Sequence, residues 1–358
     1  MNGTYYFSET YIEARKKFKK ATKKSKQNSY PVVDNLTIDT ALYEKNKDTL
    51  VIFLSGVHGV EGHIGSAFQL YFIDQFLEKT NFSVAFIHAL NPHGYHINRR
   101  YNENNVDLNR NCVKDFDYYS KFDPKSNKII DASQELLAPK RPRKNTFYEY
   151  WNYYRILYTT ILQMGLKDTI RAAAYGQNKY PDSVCYRGRE EEQSTIIWKK
   201  YVKKITKGYK KAILVDLHTG TGKRFQFTSF TGHKHSSPEF KLLKTIDTSI
   251  KNMSETKNRG VDCPGRIGEH FTQISNAQKN SEMTIEFGTY GWSFTTVSLM
   301  YLSRMLVAEN QIFHYGPIFK VEKIRKKFEK LYSPSEKNYQ KFVLKKAKNF
   351  SEQLLKSL

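Results

Sequence analysis

TLVIFLSGVHGVEGHIGSAFQLYFIDQFLEK, residues 49–79, is the stretch on which the reading of the fold turns. Its first six residues are almost all apolar and do not alternate with polar ones, the pattern of a strand covered on both faces. Four glycines follow within SGVHGVEGHIG (55–65), and from His63 to Lys79 apolar residues recur at helical spacing. A buried strand, a glycine-rich turn and a helix therefore run in sequence, with ionisable side chains on the turn.

Working outward, SVAFIHAL (83–90) reads as a second strand ended by Asn91-Pro92, and ILVDLH (213–218), RFQFTSF (224–230) and MTIEF (283–287) as three more. Helices are expected over 238–252 and 295–310. Strands alternating with helices predict an α/β fold, a mixed and mostly parallel central sheet with helices on both faces. Sites in such sheets form at the carboxyl ends of strands.

Between Asn111 and Tyr209 the composition turns rich in Tyr and Trp, which marks a helical insertion at about 113–208. In FYEYWNYYRILYTTIL (147–162), Phe147, Trp151, Tyr154, Tyr158 and Ile161 fall at spacings of three and four, after an Asn145-Thr146 cap. This predicts an amphipathic helix packed on the main sheet, the alternative being an aromatic substrate platform. The tail after Phe319 reads as two lysine-rich helices broken at Ser333-Pro334. The expected organisation is a basic N-terminal segment (1–34), a main α/β domain (35–317) that carries the insertion, and a basic helical tail (318–358).

With 358 residues, the chain can build one large α/β domain carrying an insertion without a metal to hold it together. Its formal charge of +23 comes from 58 Lys and Arg against 35 Asp and Glu, concentrated in runs such as RKKFKKATKKSK (15–26) and the tail from Lys320 to Lys356. Solvated faces are the plain reading of such runs; attraction to acidic peptides, nucleic acid or membranes is the other. No RNA-binding or helix-turn-helix pattern accompanies the charge, which argues against nucleic acid. There is no run of eighteen apolar residues and no apolar stretch near the start, so no transmembrane segment or signal peptide is expected. Cys112, Cys185 and Cys263 have no paired spacing, which fits a reducing compartment and a cytoplasmic protein.

His58 and Glu61 stand three apart on the turn, close enough for one imidazole and one carboxylate to bind a single ion, although this spacing is common by chance. In DLHTG (216–220), His218 at a strand end would complete a three-ligand site with one position open, or serve as a hydrogen-bonded structural histidine. NPHGYHINRRYNENNVDLNRN (91–111) gathers Arg99, Arg100, Asn109 and Arg110, groups that grip carboxylates and polarised carbonyls, or that simply line a solvated loop. Glu286 interrupts the β-branched run of MTIEFGTYGW (283–292), where a carboxylate is costly unless it has a partner or a proton to move.

Taken in order, HGVEG, NPHG with RRY and VDLNRN, VDLHTG and TIEFG resemble the zinc carboxypeptidase superfamily, which includes the aspartoacylase and succinylglutamate desuccinylase branch. With GQNKYPDSVCYRG (176–188), the pattern is most similar to an uncharacterised domain-of-unknown-function branch of carboxypeptidase-like proteins, over about residues 35–310. The resemblance implies one Zn²⁺ per chain held by His58, Glu61 and His218, with Asp107 orienting the first histidine. It implies that Asn109 and Arg110 hold a substrate carboxylate, that Arg100 (or Arg99 beside it) polarises the scissile carbonyl, and that Glu286 is general base and acid. The implied activity is metal-assisted hydrolysis of an amide next to a free carboxylate, as a metallocarboxypeptidase or as a deacylase of N-acyl amino acids. Acidic peptides drawn to the basic surface are a narrower form of that substrate. A non-catalytic binding module is the alternative from another class.

Two features depart from the family pattern. No Tyr occurs between Ser254 and Thr289, where the carboxypeptidase branch places one over the substrate. Tyr175, Tyr180 and Tyr186 are candidate replacements, carried by the long insertion between Glu61 and His218.

Overall fold

The computed structural model describes residues 3–113, 116, 124–141, 146–253, 263–290, 296–316 and 321–358. Eight strands form a single mixed sheet in the order β1-β2-β4-β3-β5-β8-β6-β7. They are β1 (Lys26–Val33), β2 (Leu36–Tyr43), β3 (Thr49–Ser55), β4 (Ser83–His88), β5 (Lys211–Lys223), β6 (Phe227–Thr231), β7 (Lys251–Asn252) and β8 (Lys279–Tyr290). The four central strands β4, β3, β5 and β8 are mutually parallel, and β1, β2 and β6 add antiparallel pairings toward the edges.

β3 is buried along its whole length, as its unbroken apolar run requires. Its residues divide by parity: Val51 and Phe53 enter one core, and Leu50, Ile52 and Leu54 the other. On the first face lie α2 (Gly62–Gln75), α7 (Pro238–Ile246) and α11 (Lys337–Ser357); the second is covered by α6 (Gln193–Thr206) and α8 (Ile267–Ile274). Each large side chain fully buried in these cores contributes about 1.5–3 kcal/mol of transfer free energy.

Both lysine-rich termini are built into this architecture. Tyr11, Ala14 and Phe18 of α1 (Tyr11–Ala21) are buried, and β1 pairs with β2 at the sheet edge. On α11, Tyr339, Val343, Ala347, Phe350 and Leu354 form an apolar stripe at helical spacing that enters the first core, leaving the lysines outward.

The insertion differs from its sequence reading. Helix α5 (Thr146–Ala174), interrupted at Gly165 with φ 80°, packs against α4 (Pro124–Leu137) and α9 (Thr296–Tyr315) rather than on the sheet. Its buried face is Tyr153, Ile156, Leu157 and Thr160, whereas Trp151 and Tyr158, assigned inward by spacing, are 61% and 64% exposed. Eleven of the sixteen residues 147–162 are aromatic or aliphatic, so the periodicity is degenerate and the neighbouring helices choose the face. Asn145 of the expected cap lies outside the described residues.

Smaller differences have local causes. The helix expected over 238–252 ends at Ile246, because the chain turns at Asp247 and enters β7. The strand expected from Arg224 starts at Phe227, after a turn with Phe225 at φ 65°. No helix among the described residues is long and apolar enough to cross a membrane.

Candidate metal centre

The loops that carry the ionisable residues meet at the carboxyl ends of the parallel strands. After β3 the chain reverses at Gly56 (φ 65°) and makes a short 3-10 turn, Gly59–Glu61, leading into α2. Gly59 lies against the short helix α3 (Pro92–His96): a Cβ there would sit 2.1 Å from the Gly94 carbonyl carbon, so a side chain is excluded. This close approach lets Gly59 and Val60 donate backbone hydrogen bonds to the carbonyls of Arg100 and Arg99, at 3.2 and 2.8 Å. The turn bearing His58 and Glu61 is thereby joined to the loop bearing Arg100.

The third contribution comes from β5. Leu217 is the partner of Ser55, the last residue of β3, so His218 stands just beyond the end of the neighbouring strand. β5 itself continues to Lys223, longer than the sequence suggested. In the parallel register between β5 and β8, His218 pairs with Glu286, which places the half-buried Glu286 beside His218 on the same sheet face.

His58, Glu61 and His218 come together as a buried group whose candidate ligand atoms all lie within 4.8 Å of one another. His58 Nδ1 is 2.8 Å from Glu61 Oε1, and His218 Nδ1 is 3.0 Å from Glu61 Oε2. Both imidazoles therefore turn Nδ1 inward, and each turns Nε2 to an aspartate. Asp216 Oδ2 is 2.7 Å from His218 Nε2. Asp107 Oδ1 is 3.3 Å from His58 Nε2, too poorly aligned for a full hydrogen bond.

Opposing electrostatic pulls act on this group. Burial pushes the Glu61 carboxyl up, but His58 and His218 outweigh it and hold it well below the ordinary carboxylate value. Burial lowers His218, yet Asp216 and Glu61 prevail and raise it well above an ordinary imidazole. Asp107 is likewise held far down, with Arg100 and His58 overcoming its burial. Two imidazole nitrogens and one carboxylate, each imidazole backed by a second carboxylate, are the donor set and outer support that suit zinc. A cation among them would replace the protons that the cluster otherwise shares.

The remaining candidates divide clearly. Arg100 belongs to the centre: Nη1 is 3.6 Å from Glu61 Oε1, and Nε and Nη2 are each 3.3 Å from Asp107 Oδ2. Arg99 points away and is fully buried, bonded to Glu309, Asn105 and Asn310 and stacked on Phe313 at 3.4 Å. Asn109 donates its backbone N–H to Asp107 and accepts from the backbone of Ile267 at 3.0 Å. Arg110 directs Nε and Nη2 at the Ala174 carbonyl and Nη1 at that of Asn109. His63 is not part of the group; its ring spans Ser8 and Asn98.

Of the three tyrosines, Tyr180 donates to Asp131 on α4 and Tyr186 is buried in the second core. A tyrosine that sequence reading missed stands nearer. Tyr332, at the end of α10 (Val321–Tyr332), is buried with Val60 and acts electrostatically on Arg100, while its carbonyl accepts from Thr219 and the next residue, Ser333, donates to Val60. No sequence signal links it to the site. Asp216 was also missed, although its place two residues before His218 puts both on one face of a strand, which a period-two reading could have used.

Fold and site together define a class: an α/β protein with a candidate two-histidine, one-carboxylate metal site at the carboxyl edge of its sheet. Within it, the chain belongs to the family described as "Protein of unknown function (DUF2817)", matched over residues 7–346, in agreement with the uncharacterised branch expected from the motifs. No curated protein matches it. Among solved structures it is similar to carboxypeptidase A from Helicoverpa armigera, at 11% identity over 90% of this chain and 73% of that one, with a TM-score of 0.48. Bovine thrombin-activatable fibrinolysis inhibitor, in complex with tick carboxypeptidase inhibitor, matches at 14% identity over 90% and 99%, with a TM-score of 0.48. Murein-tripeptide amidase from Escherichia coli O157 matches at 14% identity over 78% and 91%, with a TM-score of 0.37.

Proposed function

We propose that the protein is a zinc-dependent hydrolase of amide bonds adjacent to a free carboxylate, most simply a metallocarboxypeptidase-like enzyme. The observation that carries this reading is the pairing of His218 with Glu286 across β5 and β8, which sets a carboxylate outside the ligand group but beside it. Zinc held by His58, Glu61 and His218 would supply Lewis acidity.

The chain's own residues then have distinct work. Glu286 takes a proton from the attacking water as its oxygen adds to the amide carbon, and returns that proton to the nitrogen when the C–N bond breaks. Arg100 donates to the carbonyl oxygen as charge builds on it, and Asp107 holds the guanidinium in place. The Asn109 side-chain NH₂, whose oxygen is engaged by Ile267, and the Arg110 N–H groups left over from the Ala174 and Asn109 carbonyls receive the substrate carboxylate. Burial of His58, Glu61 and His218 keeps bulk water from screening these interactions.

Glu286→Gln should keep one zinc per chain and lose about 10²–10⁴ in kcat. The assay uses C-terminally varied peptides beside N-acyl amino acids, so that the preferred panel separates a peptidase from a deacylase. Zinc-loaded wild type inert on both panels, or a Gln variant as active as wild type, would sink the proposal.

A further inference from the structure

The segment that leads into α8 is fastened to Asn109 and Arg110, the pair assigned to the substrate carboxylate. The Cys112 N–H donates to the Gly265 carbonyl at 3.2 Å, and the Ile267 N–H donates to Asn109 Oδ1 at 3.0 Å. Gly265 has φ 83°, and a Cβ there would lie 2.4 Å from the Arg110 carbonyl oxygen, so the two backbones touch. Arg266, between these contacts, therefore leaves the backbone beside Asn109 and Arg110.

Its side chain reaches the sheet face that bears Glu286. In the register of β8 with β5 and β6, Glu282, Thr284 and Glu286 share one face, with Thr228 opposite Glu286 and Phe230 opposite Thr284. Glu286 and Thr284 are half-buried, whereas Glu282 is fully buried against Gly268 of α8, so the accessible strip that leads away from Glu286 closes there. The Arg266 guanidinium lies at the closed end: the point that a Cβ on Gly232 would occupy is 3.4 Å from Arg266 Nη2 and 3.2 Å from Glu282 Oε1.

Arg266 is half-buried, yet among the described residues its one hydrogen-bond acceptor is the Met253 thioether, a weak one, and its Nε is buried without a partner. Glu282 attracts the guanidinium but spends its Oε1 on the Gly232 N–H and Thr231 Oγ1, at 2.5 and 3.3 Å. Burial raises the Glu282 carboxyl to about 7, so below that pH it is mostly protonated and offers the cation little charge. A guanidinium fork without an oxygen acceptor suits a carboxylate, which would also relieve the unmet buried N–H.

In either form of the proposed reaction, the amino acid released is the one whose carboxylate Asn109 and Arg110 hold. Its side chain, rather than the acyl part of the substrate, is the group next to Arg266. We propose that Arg266 is a specificity-determining residue that selects an acidic side chain, glutamate or aspartate, on the released amino acid; this rests on the hydrolase reading above.

The test uses zinc-loaded, full-length protein on peptides that differ only in their last residue (glutamate, aspartate, glutamine, leucine or lysine) and on the matching N-acetyl amino acids. Acidic ends should exceed glutamine and leucine ends at least about tenfold in kcat/KM, chiefly through KM. Arg266→Gln should bring that ratio within about threefold of unity, and Arg266→Lys should restore part of it, both with zinc retained. A merely structural role would instead lower turnover of every substrate together. Calorimetric titration with free glutamate, aspartate, glutamine and leucine reads the same preference without turnover. Wild type that treats glutamate and glutamine alike, or prefers lysine, overturns the assignment, and hydrolysis of any panel member then leaves the hydrolase reading standing. An acidic preference unchanged in Arg266→Gln overturns it too. If nothing is hydrolysed but glutamate binds with a preference that Arg266→Gln removes, the acidic selectivity stands and the hydrolase reading fails.

Discussion

Asp216→Asn is the substitution with the most to reveal about the metal centre. Asp216 is 2% exposed, and its Oδ2 lies 2.7 Å from His218 Nε2, the ring position opposite the one that faces Glu61. Asparagine preserves the shape and removes the charge that makes the inward nitrogen more basic and fixes the ring. Outer-shell carboxylates of this kind are worth 10–100-fold in metal affinity, about 1.4–2.8 kcal/mol. Asp107 offers a contrast, because it lies 3.3 Å from His58 Nε2 and divides its charge between Arg100 and the Asn109 N–H. Asp107→Asn should therefore weaken zinc less than Asp216→Asn does, and harm turnover more. The assay is zinc competition against a chromophoric chelator at constant pH, with circular dichroism to establish that each variant is folded. A folded Asp216→Asn protein within threefold of wild-type zinc affinity would refute the assignment of Asp216 as the support of His218.

Arg100→Ala should lower kcat/KM about 10²–10³-fold while zinc content stays at one per chain, whereas Arg99→Ala should cost about 3 kcal/mol of stability by leaving Glu309 buried without its partner. Steady-state kinetics and urea unfolding of the pair would show the reverse if the two arginines exchanged roles. Gly59→Ala should cost at least ~2 kcal/mol and reduce zinc uptake, since its Cβ meets the Gly94 backbone; wild-type melting and stoichiometry would contradict that contact. Glu282 is fully buried on β8, and burial raises its carboxyl from 4.5 to about 7. The folded state then holds a proton that the unfolded state has already lost, so stability falls as pH rises from about 4.5 to 7, by ~3 kcal/mol in all. Glu282→Gln should remove that slope in denaturant titrations at pH 5 and pH 8, and equal slopes for both proteins would rule the explanation out.

Within single elements, the sequence was informative about both fold and site. The unbroken apolar run of β3 and the glycines after it are local properties, and β3 is buried along its whole length as that run requires; α2 is buried all round from Gly62 to Leu70, His63, Ser66 and Gln69 included, which its apolar spacing did not show. The spacing of His58 and Glu61 was legible for the same reason, because three residues on one turn cannot be far apart. The lysine-rich ends were misleading about position: charge on the outer face of α11 conceals the five apolar residues that join the main core.

What the sequence determined by itself was five of the eight strands (β3, β4, β5, β6 and β8), the mostly parallel α/β architecture and the presence of ionisable groups toward the carboxyl ends of strands, while β1, β2 and β7 went unread. Tertiary structure alone decided that His218 reaches Glu61 across 157 residues, that Arg100 rather than Arg99 faces the centre, and that Asp216 supports the second histidine. It also decided which side of α5 is buried and brought Tyr332 from the tail toward Arg100. The physical reason is common to all of these. Periodicity records which residues of an element avoid water, whereas the partner each one meets is set by packing between elements distant in the chain, and two adjacent arginines differ only in the direction the backbone gives them.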